Sequence, residues 1–213
     1  MRAALASVVW GVEMGRPGVS GAVLAGGLGL RMGCPKVDLY VQGEPLLLRQ
    51  LRLLAEAGID ERWVCLAPGQ DPPHFLPNDT GVLADRRPGL GPLAGLERVL
   101  QSASGSFVVV IAIDLPQLSA DFLRTLLGRC AGLRGCVPRV RGLFEPLAAV
   151  YPASAWAAVN RRLERGELSL QPLVTELVSC GTMEVLDLST AEESLLLNWN
   201  RPGDFAGGPS DGP

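Results

Sequence analysis

Apolar residues recur along this chain in two alternating styles. Short unbroken runs read as strands: Val19 to Leu24 around Gly21, Trp63 to Ala67, Gly81 to Ala84, Phe107 to Ile113, Cys136 to Val140, Leu147 to Tyr151 and Met183 to Leu188. Phe107 to Ile113 is apolar at every position and rich in β-branched residues, the mark of a strand covered on both faces. Between the runs the spacing becomes helical. Pro45 followed by Leu46, Leu47, Leu48, Leu51, Leu54 and Ala55 predicts an amphipathic helix, with proline suited to its first turn and Gly58 to its stop. Pro92 opens a second helix through Leu93, Leu96, Val99 and Leu100, and Ser119 caps a third that holds Phe122, Leu123, Leu126 and Leu127. Ala153 to Leu163 and Leu170 to Val178 give two more, separated by Gly166, and Arg141-Gly142 reads as a turn between two strands. This alternation predicts an α/β fold, a three-layer α/β/α sandwich around a mainly parallel, Rossmann-like sheet.

The chain has 213 residues, enough for one sizeable core, and 47% of them are hydrophobic. No linker interrupts the alternation, so residues 19–205 are expected to form a single domain. Residues 1–18 read as an N-terminal extension, with Met14 as an alternative start, and residues 206–213, all Gly, Pro, Ser, Asp and Ala, as a disordered tail.

Charge and cysteine usage narrow the functions. A net charge of -3 argues against broad nucleic-acid binding, and no apolar run has the length of a membrane span. Cys34, Cys65, Cys130, Cys136 and Cys180 form no Cys-x-x-Cys pair, so reduced thiols in a cytoplasmic protein are expected. His74 is the only histidine and sits among Pro72, Pro73 and Pro77, a surface-loop setting. Imidazole metal sites and histidine-based triads lose support accordingly.

One stretch stands apart. After the first strand come Ala25-Gly26-Gly27-Leu28-Gly29-Leu30-Arg31-Met32-Gly33-Cys34-Pro35-Lys36, where four glycines leave backbone N–H groups free to face an anion. Of 19 basic residues, Lys36 is the only lysine. Its compact charge on a flexible stem can follow a phosphate in a way that the flat guanidinium cannot. It is not a Walker A loop, since Gly33 is not followed by Lys and Ser or Thr, nor the dinucleotide fingerprint, since Gly27, Gly29 and Gly33 are spaced one residue too wide. Ala-Gly-Gly, three residues, Arg-Met-Gly, two residues and Lys resembles the signature loop of the MobA-like nucleotidyltransferases. The Gly-Gly form is similar to that of the molybdenum cofactor guanylyltransferases.

Three further segments bear on the same chemistry. Pro88 to Leu96 is a second glycine-rich turn running into a helix, whose N-terminus suits a phosphate; close packing of the helix on the sheet explains its small residues equally well. Asp114 directly follows the buried Phe107-to-Ile113 strand and is thereby expected at the carboxyl edge of the sheet, where ligands of open α/β folds collect. Glu145-Pro146-Leu147 and Asn198-Trp199-Asn200-Arg201-Pro202 resemble two later motifs of the same family.

A glycine loop, one lysine and one carboxylate offer positioning and charge neutralisation, which suits transfer at phosphorus. Mg²⁺ binds through one or two carboxylates plus substrate phosphates, so Asp114 is the expected metal ligand and Arg31 and Lys36 the expected catalytic cations. The resemblance spans roughly Val19 to Phe205 and implies a nucleotidyltransferase sheet, GTP as donor, molybdopterin carrying molybdenum as acceptor, and molybdoenzymes or molybdenum-insertion proteins as partners. It implies that Leu24, Ala25, Gly26 and Gly27 hold the nucleotide, Lys36 its phosphates and Asp85 the guanine and ribose. Asp114 would carry Mg²⁺, with Asn198 and Asn200 on the acceptor or metal side. Ala67-Pro68 stands where family members carry an Asn-containing segment, a departure that bears on base selectivity. Alternatives in view are a related enzyme using another base or acceptor, such as a molybdopterin cytidylyltransferase or a sugar-phosphate nucleotidyltransferase, and a non-catalytic cofactor-binding chaperone.

Overall fold

The computed structural model describes residues 18–26, 36–84 and 89–199. The first strand, β1 (Val19–Leu24), is an interior strand of a mixed sheet, and its side chains alternate between two apolar layers, Val23 into one and Ala22 into the other. Beyond Lys36 a hairpin of β2 (Tyr40–Val41) and β3 (Glu44–Pro45) turns through Gln42 and Gly43, with φ of 53° and 81°. The sequence pattern does not predict this hairpin, since strands of two residues carry no periodicity. Helix α1 (Leu46–Glu56) follows, with Pro45 as its N-cap.

The chain then builds outward on one flank of β1, through β4 (Glu61–Leu66) and β5 (Thr80–Ala84), both parallel. After α2 (Pro92–Ser102), which has Pro92 at its first position, it crosses back to pair β6 (Phe107–Ala112) with the other flank of β1. All six residues of β6 are buried, as the unbroken apolar run predicts. The Ser119 hydroxyl caps α3 (Ala120–Arg129) by accepting the Phe122 N–H at 3.2 Å.

The second half extends the sheet past β6. Strand β7 (Gly135–Val140) turns at Arg141-Gly142 into the two-residue β8 (Leu143–Phe144), so the hairpin closes on β8 rather than on the longer strand that the sequence pattern placed after it. That longer strand, β9 (Ala148–Pro152), inserts between β6 and β7, antiparallel to both. A 3₁₀ turn (Ala153–Ala155) then leads into α4 (Trp156–Glu164), and α5 (Leu170–Ser179) and the edge strand β10 (Met183–Asp187) complete the order β10-β7-β9-β6-β1-β4-β5. Helices α1 and α3 cover one face, and α2, α4 and α5 the other.

This order places the site. From β1 the chain goes one way to β4, and from β5 it returns to the opposite side of β1 as β6. The strand order therefore reverses between β1 and β6, and a crevice opens outside their carboxyl ends. There the Ile113 N–H donates to the Leu24 carbonyl at 3.2 Å, the last bond between the two strands.

Candidate active site

From the carboxyl end of β1 the chain turns over the end of β4: the Ala25 N–H donates to the Cys65 carbonyl at 2.9 Å. Ala25 is buried, Leu24 half-buried and Gly26 exposed. A Cβ on Gly26 would lie 3.0 Å from the Ala67 nitrogen and 3.2 Å from the Leu66 carbonyl carbon, so this glycine is needed for close backbone approach. Gly95, in the first turns of α2, abuts Leu24 and Cys65, with its Cβ position 3.3 Å from each. That helix therefore begins at the same sheet edge, and close packing accounts for at least this small residue of the second glycine-rich turn.

Lys36 opens a short 3₁₀ turn (Lys36–Asp38) that Val37 and Leu39 anchor in the core beneath α1. Asp114 leaves the end of β6. The two meet across 78 residues of sequence: Lys36 Nζ donates to Asp114 Oδ2 at 2.5 Å, with side chains 21% and 9% exposed. A part-buried ion pair at the switch point juxtaposes a cation and an anion, each with partial access to solvent. A triphosphate and a divalent cation present the two opposite charges.

The other carboxyl-edge segments converge here. The Trp199 N–H donates to the Asp114 carbonyl at 3.0 Å, which brings the exposed Asn198 beside the Asp114 loop. The Ala112 N–H donates to the Leu147 carbonyl at 2.7 Å, so Glu145-Pro146-Leu147 reaches the end of β6, and the buried Tyr151 hydroxyl donates to the Pro146 carbonyl at 2.9 Å. Burial pushes the Glu145 carboxyl above the usual carboxylate range. His74 is exposed and stacks edge-on against Phe75, as its loop setting predicts. Burial also pushes up the thiols of Cys130, to about 12, and Cys136, to about 11, which leaves both protonated.

Gly27, Arg31, Asp85 and Asn200 lie outside the described residues. Among the described residues no group of three or more His, Cys, Asp or Glu could hold a metal ion alone. Asp114 supplies one carboxylate, a donor set that suits a cation carried by phosphates. Sequence reasoning passed over Gln50, a polar residue on the apolar stripe of α1 whose side chain bonds the backbone on both sides of Asp114. Its signal was present in the pattern: an amide at a position where helical spacing calls for another leucine.

The MobA-like NTP transferase domain model matches residues 21–179. A probable molybdenum cofactor guanylyltransferase of Opitutus terrae is 39% identical over 189 residues, covering 87% of this chain and 92% of the relative. Among solved structures, molybdopterin-guanine dinucleotide biosynthesis protein A from Archaeoglobus fulgidus superposes with a TM-score of 0.64 at 22% identity, covering 87% of this chain and 94% of that one. The 2-C-methyl-D-erythritol 4-phosphate cytidylyltransferase of Thermus thermophilus superposes with a TM-score of 0.66 at 20% identity, covering 88% and 95%. These two structures share the fold, and the fold alone does not select a base. With the matched loop, the switch-point crevice and the Lys36–Asp114 pair in one place, the chain belongs to the MobA-like NTP transferase family of nucleotidyltransferases.

Proposed function

We propose that this protein transfers GMP from GTP to molybdopterin carrying molybdenum, giving the guanine dinucleotide form of the cofactor and pyrophosphate, in the cytoplasm. The observation that carries the reading is the meeting of Lys36 and Asp114 at the crevice between β1 and β6. The likeness to the Opitutus guanylyltransferase supports guanine and the pterin acceptor.

In this reading Leu24, Ala25, Gly26 and Gly27 cradle the nucleotide, with Asp85 toward the guanine and ribose and Asn198 and Asn200 toward the acceptor. A phosphate oxygen of the acceptor attacks the α-phosphorus of GTP in line. The bond from the α-phosphorus to its bridging oxygen breaks, and pyrophosphate leaves with the electron pair. A phosphate monoester is largely ionised at neutral pH, its second pKa being about 6, so the attack needs no general base. Lys36 turns from Asp114 to the triphosphate and, with Arg31, takes up the charge that builds on the leaving group. Asp114 would hold Mg²⁺, which would neutralise charge on the reacting phosphates.

The test is pyrophosphate release by the purified protein with molybdopterin, Mg²⁺ and each of GTP, CTP, ATP and UTP. Release with GTP well above the other three is expected. Preference for CTP would overturn the guanine assignment. Binding without release for any nucleotide and acceptor would turn the reading toward a cofactor-carrying protein.

A further inference from the structure

The loop that carries Asp114 is held by donors from outside itself. After Ile113 the backbone leaves the sheet, and its next carbonyls have no strand to bond. Four in succession nevertheless accept a hydrogen bond: Ile113 from the Gln50 side chain at 3.3 Å, Asp114 from the Trp199 N–H at 3.0 Å, Leu115 from Gln50 again at 2.8 Å, and Pro116 from Arg49 Nε at 3.1 Å. Both N–H bonds of one side-chain amide are thus spent on the two carbonyls that flank Asp114.

Packing does not explain this amide. Gln50 is 0% exposed and shares the inward face of α1 with Leu46, Leu47, Leu51 and Leu54, three or four residues away or adjacent on the stripe. A leucine or methionine would fill the position with no polar group to satisfy. The Gln50 Oε1 is buried with no hydrogen-bond partner among the described residues, and the amide cannot turn round, because only its nitrogen can face two carbonyl acceptors. An interior amide left half satisfied, with its satisfied half on one loop, is a device for holding that loop.

We propose that Gln50 is a positioning residue for Asp114, fixing from α1 the backbone on which that carboxylate is presented to the nucleotide and its cation. Peptide units are planar, so the conformation of Asp114 follows from the orientation of the units on either side of its Cα. Gln50 holds the preceding unit through the Ile113 carbonyl, and Trp199 holds the following unit through the Asp114 carbonyl. The bond from Gln50 to Leu115 fixes the next unit along. With these planes set, the Cα–Cβ bond of Asp114 has one direction, from which its carboxylate meets Lys36. This inference rests on the reading of Asp114 as the phosphate-bound cation's ligand.

The experiment compares Gln50→Met, which keeps the length of the side chain, makes it apolar and removes both donors, with Asp114→Asn and with Leu173→Val, a core change in the opposite layer. Each is measured for turnover with GTP and molybdopterin, for Mn²⁺ binding in the presence of GTP by electron paramagnetic resonance, and for amide exchange in peptides spanning residues 113–118. Gln50→Met is expected to fold, to bind Mn²⁺ about 10-fold more weakly, to lose at least about 10-fold in kcat with little change in KM for GTP, and to exchange faster in that peptide. Leu173→Val is expected to lower Tm without moving Mn²⁺ binding. Wild-type Mn²⁺ binding and kcat in Gln50→Met, with Asp114→Asn inactive, would overturn the positioning role and leave the assignment of Asp114 standing. Normal turnover and Mn²⁺ binding in Asp114→Asn would overturn that assignment and the positioning role with it. A shift in Mn²⁺ binding by Leu173→Val equal to that of Gln50→Met, at equal loss of Tm, would also overturn the positioning role.

Discussion

Lys36 and Asp114 neutralise each other across the mouth of the crevice, and each keeps some contact with solvent. Removing either leaves its partner as a part-buried charge without this ion pair. Lys36→Ala and Asp114→Ala are each expected to lower turnover by at least about 10²-fold, the usual scale for deleting a group that stabilises developing charge. Circular dichroism should show the fold retained in both, and near-normal turnover in either would remove that residue from the chemistry. Lys36→Arg tests whether charge suffices; the wider guanidinium is expected to restore only part of the loss. Much of this was legible in the chain: a single lysine after a glycine loop, and an acid after a fully apolar strand. Gly26 was legible as a loop glycine that leaves backbone N–H groups free to face an anion, and the structure adds a second reason for it: the backbones of Leu66 and Ala67 lie close to where its Cβ would stand.

The elements hold the residues in place largely through their ends. At the C-terminus of α1 the Gly58 N–H bonds the Ala55 carbonyl at 2.9 Å and the Ile59 N–H bonds the Leu54 carbonyl at 3.1 Å, with Gly58 at φ 85°. This closure turns Ile59 back beside Leu54, and both pack on the bare face of Gly21 in β1, where an added Cβ would stand 3.0 Å from Leu54 and 3.1 Å from Ile59. Gly58→Ala places a side chain in the left-handed region and is expected to cost about 1–2 kcal/mol. Ser119→Ala, which removes the cap of α3, is expected to cost about 1 kcal/mol. Thermal melts should show each as a fall in Tm of roughly 2–4 °C per kcal/mol, and an unchanged Tm would deny the end its role. The helices were legible because leucine spacing and cap residues are local. The hairpin β2–β3 and the strand β8 were not, since two-residue strands exist only through their partners.

The molecule as a whole is tied at the sheet edge opposite the site. Ser20 at the start of β1 donates to the Glu61 carboxylate at the start of β4, and the Ser104 backbone N–H and hydroxyl, just ahead of β6, donate to the same carboxylate at 3.0 Å each. Burial works to raise the Glu61 pKa, but the bonds from Ser20 and Ser104 prevail and hold it below its ordinary value. A carboxyl whose pKa is depressed on folding adds stability above its unfolded pKa and loses it as pH falls through the folded value. Glu61→Gln is therefore expected to have a lower Tm than wild type at neutral pH, with the difference shrinking below about pH 4. A gap in Tm constant from neutral to acid pH would refute the contribution of the charge.

The sequence by itself determined the alternation of strands and helices, the burial of β6 and the chemical character of the loop that ends at Lys36, because each follows from a few neighbouring residues. Only the tertiary structure decided the strand order, the reversed insertion of β9 between β6 and β7, and the meeting of Lys36 with Asp114. Those depend on which distant segments share a ladder or a core, and local spacing carries no record of that. Gln50 shows the division within one residue: its helix was written in the leucines around it, and its purpose became visible only once the loop it holds lay against it.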